Sequence, residues 1–340
     1  MTSAPLLEVE DLDVVLRTRS GSAKAIDGLS FSVAAGETLA IVGESGCGKS
    51  LTALSVLGLL PQPQVRIAGG AIRLLGRDLA PLSEREMQGV RGRDVAMIFQ
   101  DPMNSLNPVR TVGAQLVEML QAHERIGRSA AWQRAQRLLE QVSIPNAQAR
   151  LHEYPHRLSG GMCQRVMIAM AIACQPRLLI ADEPTTALDV TIQAQILALL
   201  SQLQRESGMG LVIITHDLGV VAEVADRVLV MYAGRKVEEA PVQSLFDAPR
   251  HPYTQGLLAA TPSPLRARGS RLADIPGMVA DLSALPEGCA FAARCPRVFD
   301  RCLAERPALV RVGAGQQAAC FAVDAADESE GASHELVVGA

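Results

Sequence analysis

The chain has 340 residues, 48% of them hydrophobic and 3% aromatic, with a formal net charge of -4. That length suggests about two domains with a substantial core, and the weak negative charge gives no bulk electrostatic footprint for nucleic acid. No apolar run approaches the ~20 residues that a membrane-spanning helix needs. Met1-Thr2-Ser3-Ala4-Pro5 lacks the basic and apolar regions of a secretory signal, so a cytoplasmic location is expected, with any membrane role exercised through a partner.

Residues 6–42 alternate apolar and polar side chains around Gly21-Ser22 and Ala34-Ala35-Gly36, which predicts antiparallel strands and turns. Leu39-Ala40-Ile41-Val42 has the content of a short buried strand. It runs directly into Gly43-Glu44-Ser45-Gly46-Cys47-Gly48-Lys49-Ser50, which spells G-x-x-x-x-G-K-[ST], the phosphate-cradling loop of nucleotide hydrolases. Leu51 to Leu60 is apolar and helix-forming and ends at Pro61. Strand, glycine loop and helix form the context this motif requires. The glycines let backbone N–H groups reach phosphate oxygens, the helix N-terminus adds partial positive charge, Lys49 reaches the β- and γ-phosphates, and Ser50 ligates Mg²⁺.

Further on, Val95 to Phe99 reads as a strand ending at Gln100-Asp101-Pro102, and residues 111–143 have helical periodicity. Leu158-Ser159-Gly160-Gly161-Met162 opens a helical stretch from Cys163 to Cys174, with Ser159 as a good N-cap and two glycines exposing backbone N–H groups. Arg177 to Ala181 is a strand that stops at Asp182-Glu183-Pro184, Thr191 to Arg205 is a helix, and Leu211 to Thr215 is a strand that stops at His216-Asp217. Near-continuous apolar runs separated by helices indicate a parallel sheet covered on both faces. Ligands of such sheets bind at the carboxyl ends of the strands, so Gly43, Gln100, Asp182 and His216 are expected to converge on one crevice. There Asp182 can hold Mg²⁺ and Glu183 can polarise an attacking water. The Ser159-Gly160-Gly161 helix start is a second anion cradle in a chain that already has one. A single γ-phosphate does not need both, so each subunit is expected to lend this segment to its partner's nucleotide.

From Phe246 the composition turns rich in Pro, Gly and Arg, with His251-Pro252-Tyr253 and Thr261-Pro262-Ser263-Pro264; from Asp324 it is acidic and small, as in a disordered tail. Of seven cysteines, Cys289, Cys295, Cys302 and Cys320 cluster here, with five, six and seventeen residues between successive members. In a cytosolic chain such a group suggests a metal site rather than disulfides. Four thiolates suit zinc or an iron–sulfur cluster; the C-x₂₋₄-C pairs common in zinc sites are missing, and wider spacing favours a larger cluster. Zinc and plain reduced cysteines remain alternatives.

The Gly43–Ser50 loop, Gln100, Leu158-Ser159-Gly160-Gly161, Leu179 to Glu183, Ala187-Leu188-Asp189 and His216 occur in the order found in ATP-binding cassette ATPases, and the resemblance covers roughly residues 6–245. The wording Ile98-Phe99-Gln100-Asp101-Pro102-Met103, Ser105-Leu106-Asn107-Pro108, Glu153-Tyr154-Pro155-His156 and Ala181 to Thr191 resembles the dipeptide/oligopeptide importer branch. His251-Pro252-Tyr253-Thr254 and the stretch from Gly288-Cys289 to Arg294-Cys295-Pro296 resemble that branch's C-terminal extension.

The resemblance implies an α/β P-loop NTPase cassette over 1–245, with an antiparallel β subdomain and a helical subdomain at about 101–172. A small Cys-containing extension over 246–323 and a tail over 324–340 follow. It implies ATP and Mg²⁺ as cofactors and a [4Fe–4S] cluster at the four cysteines, with a structural or regulatory role. Glu183 would be the general base, His216 would contact the γ-phosphate and hold Glu183, and Gln100 would sense the γ-phosphate and Mg²⁺. Gly43 to Leu51 would bind nucleotide. Ser159, Gly160 and Gly161 would close over the other subunit's ATP, and Asp189 would bridge the dimer. Residues 104–108 would lie near the membrane subunit's coupling helix. The implied partners are two transmembrane permease subunits, a paralogous ATPase subunit and, indirectly, an extracytoplasmic solute-binding protein, with no nucleic acid; the implied place is the cytoplasmic face of the membrane.

Two positions depart from the family pattern. Met162 stands where the common signature has Gln, and residues 1–30 contain no aromatic to stack on adenine, which leaves aliphatic contacts or Arg17. Nickel, glutathione, an opine or a sugar are alternative cargoes. A soluble cassette ATPase of DNA repair or translation is a further alternative, weakened by the absence of a sustained heptad run and by the single phosphate loop.

Overall fold

The computed structural model describes residues 4–18, 21–186, 188–261, 274–282 and 284–323. Its strands in chain order are β1 (Leu7–Thr18), β2 (Gly21–Val33), β3 (Thr38–Val42), β4 (Val65–Leu74), β5 (Arg77–Asp78), β6 (Val95–Ile98), β7 (Leu178–Asp182), β8 (Gly210–Thr215), β9 (Arg227–Tyr232), β10 (Arg235–Pro241), β11 (Val310–Gly313) and β12 (Gln316–Ala318). They form two sheets. One is antiparallel, in the order β2-β1-β4-β5; the other runs β11-β12-β10-β9-β3-β8-β7-β6.

The five strands β9, β3, β8, β7 and β6 pair in parallel. Every residue of β3, β6, β7 and β8 is buried, which is why these segments read as unbroken apolar runs. The register sets Ile41 opposite Ile214 and Asp182 opposite Ile214, so the ends of β3, β7 and β8 finish side by side. On one face, Leu12, Ile26 and Leu29 of the antiparallel sheet pack against Ile41, Ile180 and Ile214. On the other, Leu116, Leu139 and Ile168 of the helical layer meet Leu179, Ile213 and Leu200.

The helical layer differs in detail from the sequence reading. The stretch 111–143 is two helices, Val112–His123 and Arg128–Gln141, because the chain turns extended at Glu124 and Gly127. The helix after the glycine loop is Lys49–Val56, shorter than Leu51 to Leu60, and the chain leaves it through Gly58 at φ 61°. The helix from Thr191 to Arg205 is Val190–Ser207, capped by Asp189 and ended by Gly208 in the left-handed region.

Beyond β10 the chain does not form a detached body. Glu238↔Ala318 and Glu239↔Gln317 pair β10 with β12, so the segment after residue 245 extends the main sheet. Tyr253 and Phe291 join Val42, Val230 and Tyr232 in a third core. The fully buried Glu238 carboxylate ties this region together: it accepts from Arg250 N–H (2.7 Å), His251 N–H (2.9 Å) and Gln316 Nε2 (3.0 Å). The tail over 324–340, Thr261-Pro262-Ser263-Pro264 after its first residue, and Ala187 lie outside the described residues. Among the described residues, no helix is long and apolar enough to cross a membrane.

Candidate functional site

The glycine loop closes around Lys49, whose ammonium is buried and donates to the carbonyls of Gly43 (2.7 Å) and Glu44 (3.0 Å). Its remaining proton meets only the Cys47 sulfur at 3.8 Å, a weak acceptor, so one strong donor is left for an anion. Ser45 and Gly46 are exposed at the crest of the loop, while Gly43, Cys47 and Gly48 are buried beneath it. Two of the glycines are sterically required. A Cβ on Gly43 (φ 152°) would collide with the Met231 carbonyl and lie 2.8 Å from the Cys47 sulfur; one on Gly48 (φ 104°) would lie 2.9 Å from the Ala25 carbonyl oxygen. Ser50 lies in the first turn of the helix, and Leu51, half-buried, packs against the core.

Asp182 ends β7, near the Ser50 side chain, which favours its ionised form. Burial pushes its carboxyl above the ordinary range, with Glu183 adding to the rise against the opposing pull of Ser50 and Lys49. Its buried Oδ1 has no hydrogen-bond partner. An orphaned carboxylate oxygen beside a serine hydroxyl at the mouth of a phosphate loop fits a hard cation that takes oxygen ligands, as Mg²⁺ does.

Glu183 has φ 46°, in the left-handed region that non-glycine residues rarely occupy, and its N–H donates to the Ile214 carbonyl of the neighbouring strand (2.8 Å). Such strain persists only where surroundings impose it, and it clusters at functional sites. Three side chains fix the carboxylate. Gln100 Nε2 donates to Oε2 (2.9 Å), Thr186 Oγ1 donates to Oε2 (2.8 Å), and His216 Nδ1 lies 3.2 Å from Oε1. Burial raises the Glu183 carboxyl, but Thr186 and His216 outweigh it and hold the group below the usual range, hence ionised. With its amide nitrogen donating here, Gln100 keeps a carbonyl oxygen with acceptor capacity.

The structure therefore gathers Gln100, Asp182, Glu183 and His216 as the strand ends predicted, and adds Thr186, which sequence reasoning missed although it lies three residues past Glu183. Ser159, Gly160 and Gly161 stand elsewhere. The Ser159 hydroxyl caps the helix Gly160–Ile172 by accepting from Met162 N–H (3.3 Å), and Gly161 packs against Ile192. Asp189 likewise spends its carboxylate on Ile192 N–H (3.0 Å), next to Val190, which is 83% exposed. Arg17 is exposed on β1.

The iron–sulfur expectation is not supported by the described residues. Cys289, Cys295, Cys302 and Cys320 do line one pocket, with His251 and Phe291. Among the described residues, however, no group of three or more His, Cys, Asp or Glu side chains is placed to hold a metal ion. All four cysteines are free, and burial pushes the thiols of Cys289, Cys295 and Cys320 up. Nothing among the described residues supports a cluster or zinc at this pocket.

The chain matches the family described as ABC transporter over residues 26–186 and that described as oligopeptide/dipeptide transporter, C-terminal region, over residues 237–302. It is 52% identical to the probable peptide ABC transporter ATP-binding protein y4tR of Sinorhizobium fredii, over 93% of this chain and 94% of that protein. It is also 52% identical to the dipeptide transport ATP-binding protein DppD of Escherichia coli, over 93% of this chain and 96% of that protein. Among solved structures it resembles the dimeric cassette MJ0796 in a post-hydrolysis state bound to ADP and Pi, with a TM-score of 0.62 and 25% identity over 69% of this chain and 98% of that one.

Proposed function

The chain belongs to the ABC transporter family, and from that membership we propose that it is the ATP-hydrolysing subunit of an importer that takes up dipeptides or oligopeptides through separate membrane subunits. One observation carries the hydrolytic part: a strained, ionised Glu183 held by Gln100, Thr186 and His216 next to the Asp182–Ser50 pair.

In this reading the loop N–H groups and Lys49 receive the phosphates. Ser50, Asp182 and the Gln100 carbonyl hold Mg²⁺, which when bound neutralises charge on the β- and γ-phosphate oxygens. Glu183 takes a proton from the attacking water while His216 keeps the carboxylate aimed and contacts the γ-phosphate. Ser159, Gly160 and Gly161 close over the nucleotide of a second, paralogous cassette, with Asp189 at the interface. Residues 1–245 act as the cassette and 246–323 as the importer-type extension, although the main sheet runs across that division.

The membrane subunits dock, in this reading, on an apolar groove of about 250 Å³ lined by Leu57, Leu59, Met97, Phe99, Met119 and Met170. Phe99 in its lining is the chain neighbour of Gln100, which donates to Glu183, so a helix seated there would sense the state of Glu183. Association is peripheral, at the cytoplasmic face, with an extracytoplasmic binding protein delivering cargo to the permease. Phosphate release by the purified chain tests the assignment: Glu183→Gln is expected to bind Mg·ATP and turn it over at least ~100-fold more slowly, and undiminished turnover would overturn the role given to Glu183.

A further inference from the structure

We propose that Arg294 and Tyr253, far along the chain, are positioning residues for the phosphate loop and act through Glu44; this rests on the loop being the ATP site. Arg294 forms a bidentate pair with the Glu44 carboxylate, Nη1 to Oε2 at 2.6 Å and Nη2 to Oε1 at 2.9 Å. The Arg294 side chain is 4% exposed. Its orientation is fixed independently of Glu44: Nε donates to the Pro276 carbonyl (2.9 Å), Nη2 to the Ile275 carbonyl (3.2 Å), and the rings of Tyr232 and Phe291 each lie 5.9 Å away.

Tyr253 takes the other side of the same residue. Glu44 N–H donates to its Oη at 2.8 Å. The ring is fully buried, edge-on to Tyr232 with centroids 4.8 Å apart and tilted against Phe291 at 5.4 Å. The Glu44 carbonyl meanwhile accepts from Lys49 Nζ at 3.0 Å. Glu44 is thus held at its carboxylate by Arg294, at its N–H by Tyr253 and at its carbonyl by Lys49. A contiguous set of charge-assisted and neutral hydrogen bonds runs from the extension to the ammonium that meets phosphate.

The loop needs such support because its shape depends on glycines in conformations that offer little resistance to collapse or rearrangement. A bidentate guanidinium–carboxylate pair fixes direction as well as distance. Lysine could not reproduce it, having one point charge in place of a planar fork. Binding sites gain affinity when the receiving groups are held before the ligand arrives. The extension therefore tunes nucleotide affinity from outside the cassette.

The test compares the full-length wild type with Arg294→Gln, Arg294→Lys, Glu44→Gln, Glu44→Gln/Arg294→Gln and Tyr253→Phe. The measurements are the Kd of a fluorescent N-methylanthraniloyl ATP with Mg²⁺, the KM and kcat of hydrolysis, and amide exchange at Glu44. Arg294→Gln and Glu44→Gln are each expected to raise Kd and KM roughly tenfold with a smaller change in kcat, and the double variant to be no worse than the weaker single, because both remove one shared interaction. Arg294→Lys should restore only part of the affinity. Tyr253→Phe, which keeps the packed ring, should speed exchange at the Glu44 amide about tenfold or more, since that N–H loses its acceptor. Unchanged Kd in folded variants, or independent additive effects of Arg294 and Glu44, would overturn the proposal while leaving the ATP site standing. Failure of the wild type itself to bind the probe would remove the ATP reading and this proposal with it.

Discussion

Asp182 and Glu183 are chain neighbours whose carboxyls are driven in opposite directions, Asp182 upward and Glu183 downward from their ordinary values. The cause is geometric. Asp182 completes β7 inside the sheet, where burial dominates and Oδ1 finds no donor, whereas the left-handed turn at Glu183 swings its carboxylate toward Gln100, Thr186 and His216. Consecutive residues thereby carry unlike carboxyls, one buried with an unpartnered oxygen and the other ionised and held by three side chains.

Asp182→Asn should remove that burial cost. A carboxyl whose folded pKa is raised destabilises the fold at pH values above its unfolded value of 3.8, so at neutral pH the nucleotide-free variant is expected to melt no lower than wild type. The same change should raise the Mg²⁺ concentration for half-maximal hydrolysis by ~10-fold or more, because a carboxylate ligand becomes a neutral amide. Calorimetry without nucleotide and a Mg²⁺ titration of phosphate release check the two halves separately.

His216→Ala is expected to lower kcat by about 10- to 100-fold with little change in KM, as befits a group that orients the base. Glu183 keeps its bonds to Gln100 and Thr186, so the fold should be unaffected; the His216 side chain is 65% exposed and buries little. Equal losses in affinity and rate would instead mark His216 as a binding group.

Gly43→Ala should abolish nucleotide binding and cost about 1–3 kcal/mol or more, from overpacking against the Met231 carbonyl and the Cys47 sulfur. Gly46→Ala, where nothing lies within 4 Å of the added methyl, should be milder, limited to the strain of φ 81°. Melting temperatures of the two variants compared side by side decide this.

The extension should be acid-sensitive through His251. Burial lowers this imidazole from 6.5 to about 4, while Glu238 holds its backbone N–H and its Nδ1 accepts from Tyr253 N–H. Between those two values the unfolded chain binds a proton that the folded chain refuses, so stability is complete above pH 6.5 and falls by about 1.4 kcal/mol per pH unit below it. Melting curves from pH 7 to pH 4.5 should show this slope, and His251→Asn should flatten it.

The local chemistry was readable from sequence because it is carried by consecutive residues. A glycine loop between an apolar strand and a helix, and apolar runs that stop on Gln100, Asp182 and His216, specify a parallel sheet with its ligands at one edge. Two kinds of feature could not be read this way. The break between residues 123 and 128 was lost inside one helical periodicity, because an extended turn of a few residues barely disturbs a 3.6-residue pattern. Contacts such as Glu44 with Arg294, separated by 250 positions, leave no periodic trace at all. The four late cysteines share a pocket, as their grouping in sequence suggests, but spacing alone does not fix what the thiols do there.

Because β12 lies along β10 and β11 along β12, this pair acts as a selvedge on the main sheet. A truncation after Pro241 would strip it away and leave β10 with bare amides, Glu238 without its three donors and Tyr232 without its ring neighbours. Such a fragment offers a raw border to any other copy of itself. The catalytic part of this protein cannot be harvested as a well-behaved piece, and insertions or tags near β12 will fray the same seam.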